Sequence, residues 1–124
     1  MTPDDEIPAV WAGHINMDTD QLRASADFFL EVGMRPVFEN ETRVILELRA
    51  GTHLVLSQVE DFQPGPVSFD LMVEDLDATH ARFTDAGLNP GPIGNVPAHR
   101  AFDLTEPAGN TVTVFDSHNT EFPV

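Results

Sequence analysis

The feature that most constrains this chain is that its two halves can be laid over one another. With Gly33 placed on Gly87, the residues before them fall into register: Phe29 meets Phe83, Leu22 meets Leu76, Met17 meets Leu71 and Ile15 meets Phe69. With Gly51 placed on Gly109, Leu54 meets Val112, Val55 meets Thr113 and Leu56 meets Val114. The chain therefore reads as two copies of one module, about residues 8–60 and 65–118, joined by EDFQPGP, whose prolines and glycine suit a linker. A length of 124 residues fits both modules into one compact domain, 1–124.

Each module has the same internal order. It opens on an alternating strand, HINMDT or VSFDLMV, and continues into DTDQLRASADFFLEVG or EDLDATHARFTDAG, segments that begin with acidic or Thr residues and end at glycine. Those termini favour a helix: acidic and hydroxyl side chains accept from its free amides, and glycine tolerates the left-handed turn that ends it. Leu22, Ala26, Phe29 and Leu30 form an apolar stripe at helical spacing, and Leu76, His80 and Phe83 mark the same face of the second helix. Three strands follow, about 34–39, 42–49 and 52–59 in module one and 88–96, 101–104 and 111–116 in module two; LNPGPIGNVPA is rich enough in Pro and Gly to be largely loop. The result is an α+β fold of tandem βαβββ modules. Alternation sets the faces. Ile15, Met17, Leu54 and Leu56 should lie under the first helix, with His14, Asn16, Asp18, His53, Val55 and Ser57 opposite. Phe69, Leu71, Val73, Val112 and Val114 repeat that arrangement, with Ser68, Asp70, Met72, Thr111, Thr113 and Phe115 opposite. Curled mixed sheets of this kind can enclose a pocket with a mixed polar lining.

Bulk chemistry removes several function classes. The net charge is −15 and all 6 basic residues are arginine, so no basic cluster exists to neutralise nucleic-acid phosphates or an anionic membrane surface. Such a field favours cationic ligands, although an acidic surface also serves solubility alone. No apolar run approaches membrane-spanning length, the N-terminal MTPDDEIPAV has no apolar signal core, and a cytoplasmic location is the expectation. With 0 Cys there is neither a disulfide framework nor a thiolate site. No Ser-His-Asp order, P-loop or dinucleotide fingerprint is present.

GHINMDTDQLRASADFFLEVGM, FDLMVEDLDATHARFTDAG and HRAFDLTEPAGNTVTVFD together resemble the vicinal oxygen chelate superfamily, which groups glyoxalase I, extradiol dioxygenases, fosfomycin resistance enzymes and bleomycin resistance proteins. The closing run of Arg100, Phe102, Leu104, Glu106, Pro107, Gly109 and Asn110 is similar to the signature before that fold's last strand. The resemblance implies metal ligands on the first and last strands of each module. Those positions hold His14, Val55, Ser68 and Thr113, of which His14 alone is a competent ligand. No metal is therefore expected, and a divalent cofactor is disfavoured; His14 with His53 and Asp70 is the remaining alternative ligand set, in a register unlike the family's.

The ligand-contacting candidates are His14, Asn16, His53, Val55 and Ser57 from module one, and Ser68, Asp70, Thr113 and Phe115 from module two. His14 and Asp70 are also the candidates for acid–base catalysis, and Asp70, if buried, needs a cationic partner. Each has a plainer reading: a hydrogen-bonded structural histidine, and a structural ion pair. Asp18 at its strand end should cap the first helix. Trp11 serves core packing, a dimer contact or a planar ligand, His99 stands beside a pocket rim, and neither His80 nor His118 is assigned a role. Two functions fit. One is a metal-free protein similar to bleomycin resistance proteins, a homodimer sequestering a cationic or polar organic molecule. The other is a superfamily enzyme, a lyase, isomerase or dioxygenase, using His14 and Asp70 with an absent or non-standard metal site.

Overall fold

A computed structural model describes residues 6–117. Module one comprises β1 (His14–Thr19), α1 (Leu22–Val32), β2 (Arg35–Glu39), β3 (Arg43–Glu47) and β4 (His53–Gln58); module two comprises β5 (Leu71–Val73), α2 (Leu76–Asp85), β6 (Gly94–Val96), β7 (His99–Thr105) and β8 (Thr111–Asp116). Each module makes its own four-stranded sheet, ordered β1-β4-β3-β2 and β5-β8-β7-β6. The first strand runs parallel to the last, and the other neighbours are antiparallel. These are the tandem βαβββ modules of the α+β reading.

Each helix lays its apolar stripe on its own sheet. Leu22, Ala26, Phe28 and Phe29 of α1 are buried with Met17, Val44, Leu46, Leu54 and Leu56, and Leu76 and Phe83 of α2 with Phe102, Leu104, Val112 and Val114. All of them belong to one continuous hydrophobic cluster that runs through both modules. At Gly33, φ is +130° and the amide donates to the carbonyls of Phe29 and Leu30, closing α1 as its glycine predicted. Asp75 caps α2 by accepting from the Ala78 amide at 2.9 Å.

Four expectations need correction. Asp18 does not cap α1: Thr19 Oγ1 accepts from the Gln21 amide and Gln58 Oε1 from the Leu22 amide, so a neighbouring strand supplies the cap. Trp11 is not core; it is 66% exposed, with Nε1 donating to the Ala50 carbonyl at 2.7 Å. The strand expected over VSFDLMV is confined to Leu71–Val73, because the chain bends at Ser68 and touches β8 earlier only through a Pro66–Thr111 bridge. The strand expected over 88–96 shrinks to Gly94–Val96, Pro90 and Pro92 having no amide to give a ladder.

Candidate functional site

Alternation leaves the second face of each sheet uncovered by its helix. On module two this face forms an open groove of about 440 Å³ lined by residues 66–70 with Asp103, Thr111, Thr113 and Phe115. A second lobe of about 300 Å³ shares Asp70 and Phe115 and adds Met72, Pro97 and His99. Register explains the grouping: Phe115 lies between Met72 and Ala101, and Thr113 faces Asp103. The Thr113 hydroxyl donates to Oδ1 of the exposed Asp103 at 2.7 Å. His99 stacks edge-on against Phe115, with ring centres 5.2 Å apart, and its Nδ1 lies 3.0 Å from Asp116 Oδ1. That contact, helped by the Arg100 amide, holds the Asp116 carboxyl below its ordinary pKa against a smaller opposing effect of burial.

Asp70 is the informative member. If buried it was expected to need a cationic partner, from a side chain or a ligand, and it has no ion pair or hydrogen bond among the described residues. The reason is that it is exposed rather than buried, so water solvates its charge and no desolvation cost demands a partner. Of the module-two candidates, Ser68, Asp70, Thr113 and Phe115 are all brought into this groove.

The module-one candidates gather elsewhere, on the outer face of the first sheet, in cross-strand rows. One row reads His14, His53, Glu47, Arg35; the next reads Asn16, Val55, Ile45, Phe38; a third reads Asp18, Ser57, Arg43. In the first row the Arg35 guanidinium pairs with Glu47, and His53 Nε2 lies 3.1 Å from Glu47 Oε2. Arg35 first, then His53, holds the Glu47 carboxyl below its ordinary range. The His14 and His53 rings meet edge-on at 5.7 Å. His14 lies on the first sheet and Asp70 in the module-two groove just before β5, with no contact between them among the described residues, so one chain does not assemble them as an acid–base pair. His80 is used structurally, through Gly91 O at 2.8 Å and the Phe102 ring, and His118 lies outside the described residues.

Sequence reasoning passed over Asp103 and Glu47. Both were accessible to the alternation rule: Asp103 stands between buried Phe102 and Leu104, and Glu47 follows buried Leu46 on the outward parity.

The residues do not fit the metal that the resemblance implies. Val55 has no donor atom, Ser68 and Thr113 offer neutral hydroxyls, and among the described residues no group of three or more His, Asp or Glu is placed to hold an ion.

Two helix-backed βαβββ sheets with an open outer groove define the fold shared by glyoxalases and bleomycin resistance proteins. The chain belongs to the glyoxalase-like domain family, whose profile matches residues 14–115. Among solved structures it is similar to lactoylglutathione lyase from Agrobacterium tumefaciens (TM-score 0.73, 18% identity, covering 90% of this chain and 96% of that one). It is equally similar to TnmS3, an antibiotic binding protein from Streptomyces sp. CB03234 (TM-score 0.73, 21% identity, 90% and 98%). A bleomycin resistance determinant encoded on the transposon Tn5 also matches (TM-score 0.73, 14% identity, 89% and 100%). At these identities the likeness concerns the fold. No curated protein sequence matches.

Proposed function

We propose that this protein binds a small organic cation in the module-two groove, without a resident metal and without catalysing its conversion. The observation that carries this reading is the Asp70 carboxylate, which stands in the groove with no ion-pair or hydrogen-bond partner among the described residues, near Asp103 and the Phe115 ring. Two carboxylates around an aromatic face suit an ammonium or guanidinium group on a ligand with an apolar portion, and the −15 net charge would raise the local concentration of such a ligand. The antibiotic-binding and bleomycin-resistance proteins of the same fold support a sequestering role.

We place the protein in the cytoplasm as a homodimer. No helix among the described residues is long and apolar enough to cross a membrane. Phe38, Met72 and Val96, each at least 41% exposed, supply apolar surface for a second copy.

Calorimetric titration with cationic glycopeptides and planar aromatic amines, each paired with an uncharged analogue, tests the binding reading. The cationic member should bind more tightly, and Asp70→Asn should weaken it about tenfold, or about 1.4 kcal/mol. Equal affinity for the neutral analogues, or an unchanged Asp70→Asn protein, would remove the cation from the proposal. Turnover of small aldehydes or thiol adducts would replace sequestration with catalysis.

A further inference from the structure

The module-two groove has two unlike lobes, and their difference bears on the shape of the ligand as well as its charge. We propose that the ligand is an arylalkylamine, its ammonium in the first lobe at Asp70 and its ring in the second lobe against Met72, Phe115 and His99. This rests on the cation-binding reading of the same groove and adds the layout of the ligand and the residues that select it.

The lobes divide by chemistry. Both contain Asp70 and Phe115. The first, of about 440 Å³, also holds the Asp103 carboxylate and the hydroxyls of Ser68, Thr111 and Thr113. The second, of about 300 Å³, adds no further carboxylate; Met72, Pro97 and His99 complete it. A positive charge is therefore favoured in the first lobe, and an uncharged apolar group in the second. An apolar cavity of about 150 Å³ holds a benzene molecule, so the second lobe takes a substituted ring or a fused pair.

The walls of the second lobe suit a ring. Met72 and Phe115 are register partners in the parallel β5–β8 pair, so their side chains lie side by side on one face. His99 meets the Phe115 ring edge-on, with centres 5.2 Å apart and planes at 69°, and its Nδ1 lies 3.0 Å from Asp116 Oδ1. Phe115 and His99 thus brace one another as a fixed wall. Met72, 51% exposed, is the adaptable one: an unbranched thioether adjusts to rings of different width and is attracted to them.

Spacing links the lobes. Asp70 and Met72 are two residues apart, which places their Cα atoms at most about 7 Å from one another, and a spacer of two or three carbons between amine and ring spans that distance. The ammonium then lies near the Phe115 ring common to both lobes, where cation–π attraction adds to that of the carboxylate.

Nuclear magnetic resonance titration of the full chain, with its methionine methyl groups labelled, tests the proposal, the probes being phenethylamine, cyclohexylethylamine and ethylamine. Phenethylamine should bind about tenfold or more tightly than ethylamine, through burial of its ring, and several-fold more tightly than cyclohexylethylamine. Its ring current should shift the Met72 methyl, whereas the methyls of the buried Met17 and Met34 stay in place. Met72→Ser, at an exposed position outside the core, should lower the ratio of phenethylamine to ethylamine affinity about fivefold. Asp70→Asn should weaken both amines and keep the ratio. Ratios are taken at one protein concentration, so association between copies enters both amines alike. Equal affinity for phenethylamine and either comparison amine overturns the proposal, as does an unchanged ratio in Met72→Ser or a Met72 methyl that does not move while phenethylamine binds. In those outcomes a loss of affinity in Asp70→Asn leaves the cation reading standing. If no amine binds, or Asp70→Asn binds every amine as before, the cation reading falls and this inference falls with it.

Discussion

Glu106 is where a single residue matters most to the fold. It is 1% exposed, yet its carboxylate is saturated: Oε1 accepts from the Ser25 hydroxyl at 2.5 Å, and the Ala108 and Asn110 amides supply the rest. A buried charge is tolerated on those terms, because each lost water contact is replaced by a donor. The same carboxylate shapes the turn between β7 and β8 and ties it to α1, while Asn110 Nδ2 donates to Asp18 O at 3.0 Å across the same junction. Glu106→Ala should destabilise by about 3 kcal/mol in urea unfolding, since it strands the Ala108 and Asn110 amides and leaves the buried Ser25 hydroxyl only Thr19 Oγ1, whereas Ser25→Ala should cost about 1 kcal/mol. A loss under 1 kcal/mol for Glu106→Ala would show that the turn forms without its carboxylate. Gly109 in that turn has φ of +97°, and an added Cβ would lie 3.0 Å from Pro64 Cβ. Gly109→Ala should therefore cost at least about 1 kcal/mol, measured the same way.

Among the elements, the row across β2, β3 and β4 gives a pH signature. Glu47 has a folded-state pKa below its ordinary value, chiefly because Arg35 donates to it. A depressed carboxylate contributes stability that is complete above its unfolded pKa, about 4.3, and is lost as pH falls through the folded value. The stability difference between the native protein and Glu47→Gln should shrink as pH falls below about 4, followed by thermal melts in matched buffers. A difference that persists undiminished into acid would assign the effect of Glu47 to packing. The elements themselves were legible to very different degrees. Two helices and β8 follow directly from apolar spacing and glycine stops, because burial against a sheet imposes those patterns on the sequence. The start of α1 was not, since its caps are Thr19 and the distant Gln58 rather than Asp18. The first strand of module two reads as alternating from Val67 onward, but alternation reports exposure and not hydrogen bonding, and only Leu71–Val73 make the ladder. The candidate residues divide in the same way: parity groups His14 with His53 across β1 and β4, while parity alone gives no means of knowing that Asp70 stands outside the ladder in the module-two groove.

At the scale of the whole molecule, 21 acidic residues against 6 arginines make self-repulsion the dominant long-range force. Local pairing relieves little of it. Arg23 serves Asp27 and Glu39, Arg35 serves Glu47, Arg49 serves Glu74 and Arg100 serves Asp77, while Arg82 spends its guanidinium on the Glu31 and Val32 carbonyls at the end of α1. Among the described residues most carboxylates thus have no arginine paired with them. Added salt acts on both terms with opposite sign: it weakens exposed pairs worth about 0–1 kcal/mol each, and it screens a repulsion summed over the whole surface. With so large an excess of one sign, the second effect should win, and the melting temperature should rise with NaCl. The shape of the rise identifies its cause. Screening contracts from about 30 Å at 0.01 M to about 10 Å at 0.1 M and about 3 Å at 1 M, so most of the gain should come below about 0.2 M. A rise that is linear to 1 M would point instead to exclusion of salt from the protein surface. A melting temperature that falls as salt is added would mean that the few arginine pairs contribute more to holding the two modules together than the surplus charge does to driving them apart.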